Sequence, residues 1–83
     1  MAILNITLDG RSGDVPGEVE SGLSDDDIRR IAVEVIRSGE VVGIHVADLD
    51  ARTFEYFVVD RMIDPDGTSR MYLRPKVPFG ADR

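Results

Sequence analysis

Residues 24–39 read SDDDIRRIAVEVIRSG, and the reading of this stretch decides the fold. Three consecutive carboxylates invite a metal site or an acid–base pair, yet a helix start accounts for them better. The Ser24 hydroxyl suits an N-cap, able to accept from a free amide of the first turn. Asp27 stands three residues on, in the capping-box position, with Leu23 and Ile28 placed as a hydrophobic staple. Asp25, Asp26 and Asp27 fill the turn where the helix dipole favours negative charge. Asp25 is spaced i to i+4 from Arg29, and Asp26 from Arg30. Ile28, Ile31, Ala32, Val35 and Ile36 then mark one helical face. Gly39, just past Arg37, suits the stop. A metal would need the carboxylates to converge, whereas successive helical residues point about 100° apart. The spacing predicts a helix capped by Ser24 and ending near Ser38.

Upstream, Ala2, Leu4, Ile6 and Leu8 alternate with Ile3, Asn5 and Thr7, the period-two pattern of a half-buried strand over 2–8. Residues 9–22 are glycine-rich. They read either as a loop or as a tight turn at Gly10–Gly13 followed by a weak edge strand at Val15–Glu20, where Pro16 is tolerable. Downstream, EVVGIHV (40–46) reads as a strand with Val42, Ile44 and Val46 on one face and Val41, Gly43 and His45 on the other. Residues 47–52 are polar and turn-like. Thr53–Ile63 is a third long strand, DPDG (64–67) a turn with Gly67 left-handed, and Arg70–Val77 the returning strand. Residues 78–83 read as a flexible tail. The class is α+β in a single small domain of residues 1–83: one amphipathic helix on a four- or five-stranded, largely antiparallel sheet, in the order β(β)αβββ.

With the strand at Val15–Glu20 included, that order resembles the β-grasp, ubiquitin-like arrangement. The resemblance rests on element order and implies, as one alternative, a carrier or modifier protein. Such modifiers end in glycine after processing, which would give Gly80 a role.

Pairing the last two strands across Pro65–Gly67 sets Asp64 opposite Thr68. One face then collects Phe57, Val59, Ile63, Met71, Leu73, Pro75 and Val77, with Arg61 as an intruder. A one-residue slip would flip every side chain, so this nearly clean apolar face fixes the register. Leu4, Ile6, Ile28, Ile31, Val35, Ile44, Val59 and Leu73 are the expected core. The opposite face collects Phe54, Tyr56, Val58, Asp60, Met62, Arg70, Tyr72, Arg74 and Lys76, of which Phe54, Tyr56, Tyr72, Arg70, Arg74 and Lys76 are the candidate interaction residues. Aromatic anchors with basic neighbours on an open sheet are the chemistry of a protein interface. They also suit a single-stranded nucleic-acid platform, or an ordinary solvated sheet held by cross-strand pairs.

Charge and composition narrow the choice. The net charge of −6 opposes nucleic acid and anionic membranes, although Arg70, Arg74, Lys76 and Arg83 against Asp82 leave residues 70–83 at +3. The absence of cysteine excludes thiolate chemistry and disulfides, which favours a cytoplasmic location. MAILNITLDG lacks the pattern of a signal peptide or membrane span. His45 stands alone, Asp48, Asp50, Asp64 and Asp66 read as turn residues, and GRSGDVPG lacks the phosphate-loop pattern and its lysine. No cofactor, metal site or catalytic group is expected, and the partner is another protein or a second copy, with no membrane. The expectation is a non-catalytic interaction or adaptor module, with a ubiquitin-like carrier and a small nucleic-acid binder as alternatives.

Overall fold

A computed structural model describes residues 1–44, 46, 49–50 and 52–76. It comprises β1 (Ala2–Leu8), β2 (Arg11–Asp14), α1 (Asp25–Arg37), β3 (Phe57–Ile63) and β4 (Ser69–Pro75). The strands form one sheet in the order β2-β1-β4-β3, with the helix packed on one face. The two outer pairings are antiparallel, and the central β1–β4 pairing is parallel. The sheet is therefore mixed and β-grasp-like in order.

The helix start behaves as its residues dictate. The Ser24 hydroxyl accepts from the Asp27 amide at 3.1 Å. The ion pairs differ from the expected i to i+4 set: Arg29 reaches Asp26 at 2.8 Å and Arg30 reaches Asp27 at 3.4 Å, both i to i+3. Asp25 is held instead by Arg61 of β3 at 2.6 Å. At the other end Gly39 has φ +77, its amide donates to Ile36 O, and the Glu40 amide donates to Val35 O. This is the left-handed exit that glycine makes cheaply. Ile28, Ala32, Val33 and Ile36 are buried, while Ile31 and Val35 flank the core half-buried. The apolar stripe is thus rotated toward Val33 from its expected centre.

Ala2, Leu4, Ile6 and Leu8 are buried on the helix side of β1. The second strand is not Val15–Glu20. The turn falls one step earlier, at Asp9–Gly10, where both residues have positive φ, and β2 pairs back at once. Two left-handed residues match the twist of a two-residue hairpin, which is why Asp-Gly is favoured there. Beyond β2 the chain still follows β1, through the Val15 amide to Leu4 O (2.8 Å) and an isolated bridge between Val19 and Ala2. Val15 and Val19 do share the core side.

Residues 40–46 do not form a strand among the described residues. Val41 and Ile44 are buried while Val42 is 86% exposed, a spacing of three that belongs to a turn. Gly43, with φ +91, breaks any extended run. Val41 instead fills the space above Gly13, where a Cβ would meet Val41 Cγ1 and Val42 O at 2.8 Å. Glycine at 13 lets this crossing pack directly on β2. The third long strand begins at Phe57 rather than Thr53, because residues 52–56 are consecutive turns. Asp50 Oδ1 accepts from the Arg52 amide at 2.8 Å and holds the first of them. These turns drive Phe54 into the core at 0% exposure, edge-on to Phe57 with ring centroids 4.8 Å apart. His45, Val77, Gly80 and the tail at 78–83 lie outside the described residues.

Candidate interaction surface

The β3–β4 register is the expected one, from Phe57 opposite Pro75 to Ile63 opposite Ser69. The Asp64 amide donates to Thr68 O and the Gly67 amide to Asp64 O, both at 2.8 Å, with Gly67 at φ +87. In the same turn Asp66 accepts from the Thr68 amide at 2.9 Å, which holds its carboxyl below the usual carboxylate range. Val59, Met71 and Leu73 face the helix, and Leu4 and Ile6 continue that face across β1.

The register places the expected interaction residues unequally. Tyr72 lies half-buried on the open face, between Asn5 of β1 and Asp60 of β3. Arg70 and Arg74 share that face, and each is bound within the chain. Arg70 Nε donates to Asp64 at 2.7 Å, which raises the arginine's pKa further, and Arg74 is paired with Asp60. Asn5 donates to Asp14 at 2.9 Å on the same surface. Lys76 is exposed just past the end of β4, and Tyr56, 77% exposed, sits in the turn before β3, so neither belongs to the ladder. Phe54 is core and takes no part in an exposed surface. The open face is consequently a solvated sheet whose described cations, Lys76 apart, are neutralised by their neighbours.

Arg61, the intruder on the apolar face, has a definite task. Its Nη1 holds Asp25 and its Nη2 donates to Leu23 O, both at 2.6 Å, so it ties β3 to the start of the helix. Arg29 makes the reciprocal tie: Nη1 to Asp26 and Nη2 to Phe57 O, each at 2.8 Å. The three aspartates of the opening stretch therefore go to three different arginines. Among the described residues no group of three histidine or acidic side chains converges to hold a metal ion.

The two edges of the sheet differ sharply. β2 has four residues, with Arg11 and Asp14 exposed at its ends, and is flanked by Pro16, two glycines with positive φ (Gly10 and Gly17) and exposed Glu18 and Glu20. Short, charged, proline-bearing edges resist pairing with another chain. β3 is a seven-residue edge strand with no proline or glycine. Antiparallel pairs alternate between exchanging two hydrogen bonds and exchanging none. With Asp64–Thr68 bonded, Val58, Asp60 and Met62 aim their backbone groups at β4, and Phe57, Val59, Arg61 and Ile63 aim theirs outward. Phe57 finds partners in Phe54 O and Arg29. Val59, Arg61 and Ile63 have none among the described residues. The far end of this edge exposes Met62 (54%) and Ile63 (76%) beside a recess of about 430 Å³ that they line with Ala2 and Met71. No local pattern of residues marks this edge, since an edge is defined only once strand order is known.

No protein-family model, curated protein or solved structure matches the chain. Among the described residues no helix is long and apolar enough to cross a membrane.

Proposed function

We propose that this chain is a non-catalytic protein-interaction module that takes up an extended partner strand along β3. The observation that carries the reading is the unpaired outer edge of β3, with its exposed apolar end, on a sheet whose other edge is short and charged. Strand addition draws affinity from main-chain hydrogen bonds and specificity from side-chain pockets at alternate positions. The edge and its recess supply both. The charges on β3 do not guard it, because Asp60 and Arg61 are neutralised by Arg74 and Asp25. Cysteine-free composition supports a cytoplasmic setting.

Val59→Pro tests the reading. It removes an amide that points outward and leaves the β3–β4 ladder intact, the placement in which an edge strand tolerates proline. Proteins captured with the wild type in its own cells should be lost with Val59→Pro and retained with Tyr72→Ala. Retention with Val59→Pro and loss with Tyr72→Ala would return the interface to the open face. The β-grasp-like strand order also favours a ubiquitin-like carrier. That alternative requires the chain to be found trimmed after Gly80 or conjugated through it.

A further inference from the structure

Resting on the edge reading above, we infer that the occupant of the β3 edge is a second copy of this chain, paired antiparallel about a two-fold axis at Asp60. The inference follows from hydrogen-bond parity, side-chain pairing and charge. An isologous strand pair must bring outward-pointing residues opposite one another. A dyad at Asp60 sets Val59 opposite the second copy's Arg61 and Phe57 opposite its Ile63, all outward-pointing positions. It is also the register in which all seven residues Phe57–Ile63 are paired; moving the dyad by one residue leaves two of them overhanging. Phe57 contributes only its carbonyl, which keeps a second lone pair beside the Arg29 bond, because its amide is already given to Phe54 O.

The side chains agree with this register. On the helix side Ile63, 76% exposed, meets the second copy's Phe57. On the open side Met62 meets its Val58. Two of the largest exposed apolar side chains are thereby covered by apolar partners. Like charges meet at the axis itself, and each is offset by a partner within its own copy. Asp60 faces its own copy across the dyad, and each Asp60 brings its bound Arg74, while each Arg61 brings Asp25. Each contacting strand is neutral in sum, so two chains of net charge −6 meet where neither carries excess charge. Residual long-range repulsion makes the dimer tighter as salt is added. The product is an eight-stranded sheet with the short, charged β2 edges outermost, which stops growth at two copies.

Sedimentation of the purified chain should give twice 9.2 kDa, and Val59→Pro and Ile63→Glu should each give 9.2 kDa with unchanged circular dichroism. Ile63 is exposed, so its replacement keeps the test decisive if the proline variant fails to fold. The chain has no cysteine, which makes single-cysteine cross-linking unambiguous. Residues directly opposite at a non-hydrogen-bonded pair have Cα atoms about 4.5 Å apart, within reach of a disulfide. Asp60→Cys should therefore oxidise to a covalent dimer, and Val58→Cys and Met62→Cys should not. A wild type that sediments as a monomer at every concentration up to its solubility overturns the second copy as occupant, while the edge reading stands or falls on the capture experiment. A dimer that survives both Val59→Pro and Ile63→Glu overturns the edge itself. Cross-linking through Val58 rather than Asp60 overturns the register.

Discussion

Replacing Phe54 with alanine separates a core residue from an exposed anchor in one measurement. Phe54 is completely buried, packs edge-on against Phe57 and sits among residues that close the core beneath the start of β3. Truncating a buried phenylalanine costs about 3–5 kcal/mol, through lost transfer energy and the cavity left behind. The edge-to-face contact accounts for about 0.5–1.5 kcal/mol of that. A chain of 83 residues at about 0.05–0.15 kcal/mol per residue has about 4–12 kcal/mol in total. The substitution therefore consumes a large share of the stability. In urea, with a slope of about 1–1.5 kcal/mol/M for a domain this small, the midpoint should fall by about 2–5 M. Circular dichroism at one fixed protein concentration reads it, since association would otherwise shift the midpoint. Tyr56→Ala, two residues away and exposed, should stay within about 0.5 kcal/mol of wild type. A Phe54→Ala stability within about 1 kcal/mol of wild type would refute the placement of residues 52–56 and the packing built on it.

Three further outcomes follow from the same contacts. Arg61→Leu should cost about 1–2 kcal/mol in urea denaturation, from one half-exposed ion pair and one charge-assisted bond to Leu23 O; no loss would mean that the tie to the helix start is idle. Ser24→Ala should cost about 0.5–2 kcal/mol, and an unchanged midpoint would contradict the cap. The Asp66 carboxyl is lowered by the Thr68 amide, so its contribution is complete above its ordinary value of 3.8 and is lost as pH falls through the lower folded value. Melting followed from neutral to acid should show a smaller decline for Asp66→Asn than for wild type, and equal declines would refute the linkage.

The helix and the last hairpin were legible in the sequence because local chemistry sets both. Ser24, the aspartates and Gly39 bracket the helix, and the Pro65–Gly67 loop with the parity of Val59, Met71 and Leu73 sets the register. The middle of the chain was not legible. Val42, Ile44 and Val46 alternate as in a strand, yet tertiary packing over Gly13 buries Val41 and Ile44 and turns Val42 outward. Phe54 departs from the strand pattern for a similar reason: upstream of Phe57 the alternation yields to the turn chemistry of Asp50 and Thr53. The Asp9–Gly10 dipeptide is a stronger hairpin signal than the glycines at Gly10–Gly13, because both of its residues take positive φ. Of the candidate surface, the composition of the open face could be read in advance. The pairing of its arginines with Asp60 and Asp64 required the register, and the bare β3 edge required the strand order.

Residue-resolved amide hydrogen exchange of the wild type, measured over a range of protein concentrations, tests the central claim most directly. Val59, Arg61 and Ile63 carry amides that point away from β4 and have no partner within the described chain. If β3 takes up a second copy along its edge, these three amides should gain protection as concentration rises, while that of Tyr72 in the interior of the sheet stays unchanged. Exchange at Val59, Arg61 and Ile63 that stays fast at every concentration, with a partner demonstrably bound, would contradict the account.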